Sequence, residues 1–124
     1  MREVLAFVAA GLVGLWGVAH AVPTRRVVDR FGPITVDNRR VLLQEWLAEA
    51  FTMWGLASAV IAVTMAGGAG SAVAVAAYRV VAGLLIALAV LTGLTGARTP
   101  VVWFKVCPLL LTVSAGLLLA ASIR

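Results

Sequence analysis

The sequence predicts an all-α protein, a bundle of four transmembrane helices that forms one domain over residues 1–124. Of these 124 residues, 63% are hydrophobic and only 12% are charged, whereas about a quarter of the residues in a soluble domain are charged. Four long apolar runs are separated by short polar or glycine-rich connections. Because a membrane-spanning helix needs roughly 20 residues, four spans and their connections use nearly the whole chain.

The first apolar run, from about Val4 to Val22, is predicted to be the first membrane helix. Pro23 and the Gly32-Pro33 pair then interrupt helix formation. Between these breakers we expect a short interfacial helix over Thr24–Phe31, with the side chain of Thr24 as its cap. The chain is therefore expected to follow the membrane surface before it re-enters the hydrocarbon.

Glycines and capping residues bound the next two spans. The second span is predicted to begin at the headgroup level behind an Asp37 cap and to cover Asn38–Ala66, where a glycine-rich turn follows. The third span is expected to end near Gly96. Its start stays open between Ser71 and Ala76, because the intervening alanines carry no boundary signal.

The fourth span is predicted from Pro100, placed in the first helical turn, to about Ile123. Pro108 lies inside it and is expected to kink the helix, which membrane helices tolerate. Cys107 is the sole cysteine, so the chain can form no internal disulfide and has no CxxC pair. Within an apolar run such a thiol is usually a small buried hydrophobic group.

Positive charge is concentrated at one end of the predicted bundle. The first and third connections and their flanks carry seven basic residues, against three elsewhere. These seven are Arg25, Arg26, Arg30, Arg39, Arg40, Arg98 and Lys105. By the positive-inside rule this end faces the cytoplasm and both termini lie outside. The arginine, alanine and valine content is typical of a GC-rich bacterial genome, so the expected location is a bacterial inner membrane.

Four ionisable side chains are predicted to meet at this end: His20, Glu45, Glu49 and Lys105. Glu45 and Glu49 are spaced i, i+4 and therefore lie on one side of the second span. A histidine beside two carboxylates is typical of a proton-relay or ligand site, and the same trio can ligate a metal. The favoured interpretation is a structural ion-pair network in which the carboxylates neutralise Lys105 and nearby arginines. No metal and no cofactor are predicted.

The basic first connection is predicted to contact anions or lipid headgroups through Arg25, Arg26, Arg39 and Arg40. Arginine forks bind phosphate bidentately, and the net charge of +5 suits anionic lipid better than nucleic acid, because the charge lies in one membrane-flanking connection. The alternative for the segment Asp37–Arg40 is a capped helix start whose arginines touch lipid phosphates. We predict membrane lipids as partners and no nucleic acid.

Small residues recur at packing intervals in two spans. Ala6, Ala10 and Gly14 form such a stripe in the first span, and Gly55 and Ala59 form one in the second. Small residues at this spacing let helices approach closely, either within a bundle or between proteins. They therefore fit a protein partner or a homo-oligomer as well as internal packing.

Aromatic and charged residues near the ends give three further expectations. Trp46 and Trp103 fit an aromatic belt at the membrane boundary. Trp54 lies deeper and is expected in the core or in a pocket wall. Arg79, toward the opposite end, is expected to snorkel or to pair with Glu3.

The segment His20–Glu49, HAVPTRRVVDRFGPITVDNRRVLLQEWLAE, resembles small bacterial four-helix membrane proteins that are DoxX-like in layout. They share a polar first connection and acidic residues at the start of the second helix. The resemblance covers about a quarter of the chain and implies a four-helix bundle without an assigned chemistry. DoxX-like proteins are linked to redox or thiol partners, but this sequence has no cysteine motif that would extend the link to it.

Two functions are expected from these features. The leading hypothesis is an accessory or interaction subunit of a larger membrane complex. The alternative is binding or transport of a small amphipathic ligand, such as a lipid, a quinone or a cation, by the polar cluster. An enzyme is less favoured, because the sequence contains no P-loop, HExxH or GxSxG motif, and its single histidine excludes a cytochrome with two histidine ligands.

Overall fold

The computed structural model describes residues 1–123, which form five α-helices, one 3-10 turn and no β-strand. The helices are α1 (Arg2–Ala21), α2 (Thr24–Asp29), α3 (Val36–Gly67), α4 (Ala72–Leu94) and α5 (Val102–Ser122), and the 3-10 turn covers Gly96–Arg98. Four of the helices, α1, α3, α4 and α5, are long and apolar enough to cross a membrane. The all-α four-helix bundle with a short helix after the first span is confirmed, and the chain is a multi-pass membrane protein.

The four long helices pack in a ring in chain order. Helix α1 packs against α3 and α5, and α4 packs against α3 and α5. The short connections make consecutive spans antiparallel. We call the end of the bundle with α2 and the 3-10 turn the α2 end, and the opposite one the terminal end. There, the Arg2 guanidinium and the Glu3 carboxylate lie beside the α3–α4 turn, next to Gly70 and Gly68 respectively.

Helix α3 begins earlier than predicted and has a different cap. The hydroxyl oxygen of Thr35 accepts a hydrogen bond from the Asn38 amide at 3.2 Å. Asp37 is therefore not the cap but a residue of the first turn, where its negative charge favours the helix dipole. With 32 residues, α3 is about 48 Å long, longer than the roughly 30 Å of hydrocarbon, so one of its ends projects from the membrane.

The predicted cap of α2 was also wrong. Thr24 is buried, and its hydroxyl donates a hydrogen bond back to the carbonyl of Ala21 in α1 instead of capping α2. The open start of the third span is resolved by Ser71, whose side chain accepts a hydrogen bond from the Ala74 amide at 3.2 Å. Side-chain oxygens thus cap α3 and α4, whereas α5 begins without a side-chain cap.

The fourth span differs from its prediction at its start. Pro100 precedes α5, whose first helical residue is Val102, so Pro100 is not part of the first turn. Gly96 belongs to the 3-10 turn and not to α4, which ends at Leu94. Pro108 lies inside α5 as predicted, and it removes the amide hydrogen that would bond the carbonyl four residues earlier.

The centre of the bundle is apolar and closed. Alanine, valine and leucine side chains from all four spans meet there and leave no space for a water molecule. They are Ala9, Ala10, Val13, Leu56, Ala57, Val60, Val81 and Leu118. Toward the terminal end, the buried hydroxyls of Tyr78 and Thr64 lie 2.6 Å apart and join α4 to α3. Thr64 donates to the Val60 carbonyl, so Tyr78 is the donor in the contact between the two hydroxyls.

The two stripes of small residues have different environments. In α1, Ala6 and Ala10 are buried and Gly14 packs toward Ala57 of α3. In α3, Gly55 and Ala59 face outward, and a Cβ atom at Gly55 would have no neighbour within 4 Å. Only the first stripe serves packing within the bundle.

Candidate functional site

A histidine–carboxylate pair lies at the α2 end, where α1 meets α3. Nε2 of His20 is 3.4 Å from Oε2 of Glu49. The His20 side chain is only 10% exposed and that of Glu49 is 30% exposed. The last turn of α1 packs against the early turns of α3. This packing brings His20 and Glu49 together although they lie far apart in the sequence.

Trp46 holds the imidazole in place. The two rings stack with centroids 4.0 Å apart and planes inclined by 14°. The indole N–H of Trp46 donates a hydrogen bond to the His20 carbonyl at 2.8 Å. Phe104 of α5 packs on the far side of Trp46, with a centroid distance of 6.0 Å. Trp46 is therefore a structural part of this site, and its place in an aromatic belt at the membrane boundary stays a prediction.

Two polar nitrogens in this region are buried without a hydrogen bond among the described residues: Nε1 of Trp16 and Nε2 of His20. Trp16 and His20 are four residues apart and lie on one side of α1. Cys107 of α5 is buried in the core against which Trp16 packs. We call Trp16, His20, Trp46, Glu49 and Cys107 the polar cluster. Its residues come from α1, α3 and α5.

The structure does not bring Glu45 or Lys105 into this cluster. Glu45 is exposed, and its recorded contact is the amide of Gln44 at 3.4 Å. Lys105 is also exposed, with no carboxylate within 4.0 Å in the described part of the chain. The predicted four-residue site is reduced to its His20–Glu49 pair, and the predicted ion-pair network around Lys105 was wrong.

A metal-binding trio of His20, Glu45 and Glu49 is not assembled either. Only two of the three side chains meet, and residues 1–123 contain no group of three or more histidine, cysteine or carboxylate side chains placed to hold a metal ion.

The arginines of the first connection fall into two groups. Arg39 pairs with Asp29, which ties α3 to the end of α2, and Arg40 pairs with Asp37 at 3.4 Å within the first turn of α3. Arg25, in contrast, is exposed and has no carboxylate partner among residues 1–123, and Arg26 is equally free.

The structure also bears on the predictions for Arg79, Trp103 and Trp54. Arg79 is exposed and forms no ion pair with Glu3 in the described structure, so that pairing was wrong. Trp103 is 69% exposed, as a boundary residue is expected to be. Trp54 is packed, and its indole N–H donates to the Gly14 carbonyl of α1 at 3.2 Å.

A second candidate surface runs along the outside of α3. Its residues are spaced three or four apart, all face outward, and are small except for a carboxylate at one end. We call this set the α3 outer face: Glu45, Ala48, Thr52, Gly55, Ala59, Ala62 and Ala66. At the terminal end it leads into an open groove of about 420 Å³ between α3 and α4, which Ala62, Ala66, Ser71 and Val73 help to line.

The prediction that Cys107 is a small buried hydrophobic group is confirmed. The position of Trp46 beside His20 was not predicted. The spacing held a usable signal, because Trp16 lies one turn before His20 and Trp46 lies three residues before Glu49.

Comparison with known protein families, with curated proteins and with solved structures finds no match to this chain. The polar cluster and the α3 outer face are therefore the two features from which a function can be inferred.

Proposed function

We propose that this protein is an accessory or interaction subunit of a larger membrane complex and that the α3 outer face is its docking surface. The observation that supports this proposal is the outward placement of the small residues from Ala48 to Ala66, headed by the free carboxylate of Glu45. At 1.5 Å per residue this surface is about 27 Å long, close to the thickness of the hydrocarbon layer.

Small outward-facing residues matter in lipid because apolar surface alone does not drive helices together there. Association depends on close backbone approach and dispersion contacts, which Gly, Ala and Thr permit. On the other spans the outward-facing small residues form shorter runs, such as Gly83 and Ala87 on α4 and Thr112, Gly116 and Ala120 on α5, and larger side chains such as Leu109 lie beside them. The α3 outer face is therefore better suited than these to receive a partner helix.

Glu45 adds a chemical preference to this surface. A carboxylate at a membrane boundary is costly unless it is paired or hydrated. A partner helix with a lysine or arginine at the same depth would neutralise it. We propose that the partner carries such a basic residue, and that complementary charge sets the register of the two helices.

The proposed location is a bacterial inner membrane, with the α2 end toward the cytoplasm and both termini outside. Five basic residues at the α2 end have no acidic partner among residues 1–123, namely Arg25, Arg26, Arg30, Arg98 and Lys105. This asymmetry favours the orientation by the positive-inside rule.

The test is co-purification from the native host with two matched glycine variants. Gly55 on the α3 outer face and Gly116 on α5 are both exposed, and an added Cβ atom would have no neighbour within 4 Å, so we expect Gly55→Leu and Gly116→Leu to leave the bundle itself folded. After gentle detergent extraction, we expect the wild type and Gly116→Leu to elute in one larger complex. Gly55→Leu is expected to elute as a free subunit.

Three outcomes would contradict the proposal. The wild type would be recovered only as a monomer, its complex would contain only copies of this chain, or Gly55→Leu would retain the full complex. The second outcome would make the α3 outer face a homo-oligomer interface instead.

The polar cluster supports a second candidate function, the binding of a small ligand that carries an oxygen acceptor, such as a quinone. The favouring observation is that Trp16 Nε1 and His20 Nε2 are buried and lack hydrogen-bond partners among residues 1–123. Indole N–H groups donate, which suits a carbonyl oxygen better than a cation. Nε2 of His20 faces the Glu49 carboxylate at 3.4 Å, so Glu49 fixes the imidazole and the ligand oxygen is assigned to the Trp16 N–H.

This candidate is tested by the quenching of tryptophan fluorescence with a short-chain ubiquinone analogue, on the full chain in nanodiscs. We expect saturable quenching for the wild type and for Glu45→Gln, whose site lies outside the cluster. Trp16→Phe is expected to weaken binding by about tenfold, because it removes the donor assigned to the ligand oxygen. Equal affinity for Trp16→Phe and the wild type would eliminate the site.

A further inference from the structure

Helix α2 and the residue that follows it carry three arginines that have no carboxylate partner among residues 1–123. Arg25 and Arg26 lie on α2 and Arg30 directly follows it, and all three are exposed. No carboxylate lies within 4.0 Å of them in the part of the chain that the structure describes. Arg39 and Arg40, only a few residues further along, are each occupied by an aspartate.

Helix α2 holds these arginines on a fixed support. Val28 is only 1% exposed and anchors the inner side of α2, which packs on α3. The buried hydroxyl of Thr24 bonds to the Ala21 carbonyl of α1, and Asp29 at the other end of α2 pairs with Arg39 of α3. A pre-organised set of charges loses less conformational entropy on binding than a set on a free loop.

Exposed apolar side chains flank this basic segment. Val22 is 80% exposed before α2, and Phe31 is 56% exposed after it. Because Val22 directly follows the first span, α2 lies at the level where hydrocarbon meets headgroups. Apolar flanks around a basic helix are typical of an element that rests on a lipid surface.

We infer that α2 is a binding element for anionic phospholipid, in which Arg25, Arg26 and Arg30 contact the phosphates of acidic headgroups while Val22 and Phe31 enter the acyl boundary. Guanidinium groups bind phosphate oxygens in bidentate fashion. Anionic lipid fits better than an acidic protein segment, since only lipid accounts for the exposed apolar flanks as well as the charge. Arg39 and Arg40 are assigned to internal ion pairs and not to lipid.

The experiment measures lipid preference by native mass spectrometry of the full chain, released from micelles that contain equal amounts of phosphatidylglycerol and phosphatidylcholine. We expect the wild type to retain phosphatidylglycerol preferentially. Each arginine near an anionic surface is expected to contribute about fivefold to this binding. Arg26→Gln should therefore reduce the preference about fivefold, and Arg25→Gln/Arg26→Gln/Arg30→Gln should abolish it.

The matched control is Arg40→Gln, which removes an arginine at the same end of the bundle that already has an aspartate partner within its own helix. It frees Asp37 but keeps the Asp29–Arg39 pair that holds α2, so it is expected to retain most of the preference for phosphatidylglycerol. Circular dichroism in phosphatidylcholine nanodiscs checks that both sets of variants keep their helical content.

Four results would overturn the inference: no preference in the wild type, equal loss in the control and in the triple variant, displacement of the lipid by inorganic phosphate, or binding of a polyglutamate peptide to the same arginines with no lipid preference. The third would assign the arginines to a soluble anion and the fourth to an acidic protein. The outcome is independent of the Gly55→Leu test, because the α3 outer face takes no part in it.

Discussion

The hydrogen bond between Tyr78 and Thr64 ties α4 to α3 through two buried hydroxyls. Tyr78→Phe removes the donor but leaves Thr64 bonded to the Val60 carbonyl. We expect unfolding in mixed micelles to become easier by about 0.6–1.7 kcal/mol, the range for polar contacts between membrane helices. The control is Thr112→Val, because that outward hydroxyl bonds only within its own helix. Equal stability of Tyr78→Phe and the wild type would refute this role.

Gly17 of α1 packs directly against two side chains of α3. A Cβ atom there would lie 2.7 Å from Nε1 of Trp54 and 3.2 Å from Cβ of Met53. Gly17→Ala would displace the indole and break its bond to the Gly14 carbonyl, so we expect a loss of about 1–3 kcal/mol. Gly11→Ala, where nothing lies within 4 Å, should leave thermal unfolding unchanged. An equal effect at both positions would contradict the close packing at Gly17.

At the level of single residues, the sequence predicted that His20 and Glu49 share one end but did not separate Glu49 from Glu45. Residues four apart on a helix differ in direction by about 40°. Trp46 and Glu49 both contact His20 of α1, so the side of α3 that carries them faces α1. Glu45 is rotated away from this side and is left exposed. Spacing alone does not reveal which side of a stripe a neighbouring helix covers.

At the scale of elements, α3 depends on Thr35 for its first turn. Thr35→Ala removes the acceptor of the Asn38 amide, and loss of an N-cap typically costs about 1 kcal/mol. We expect faster hydrogen exchange at Asn38, measured by NMR in micelles, with exchange deep in α3 unchanged. In Asp37→Asn the exchange at Asn38 should stay slow. The reverse result would restore Asp37 as the cap.

The bounds of the spans were predictable to within a few residues, because hydrocarbon thickness and apolar composition determine them largely without contacts from neighbouring helices. Caps were less predictable. Thr35, Asp37 and Asn38 are all good capping residues, and the backbone turn after Pro33 decides among them. Thr24 was predicted as a cap and is instead recruited by α1, a tertiary contact that no local pattern encodes.

On the scale of the whole molecule, the closed apolar centre directs function toward the surfaces of the bundle. Composition predicted a multi-pass membrane protein with four spans, and the structure has these four spans, packed in a ring. Neither property identifies a partner. Two surfaces could be separated from the other charged positions only once ion pairs and exposure were known. They are the outer face of α3, where Glu45 forms no ion pair among residues 1–123, and the arginines of α2.

The orientation of the four spans is tested most directly by labelling single introduced cysteines with a membrane-impermeant maleimide on intact spheroplasts. Cys107 is buried and should not react in the folded wild type. Gly70→Cys, in the α3–α4 turn, is expected to be labelled from outside, and Phe31→Cys, after α2, only once the membrane is permeabilised. Labelling of both positions from the same side would contradict four crossings with the α2 end in the cytoplasm.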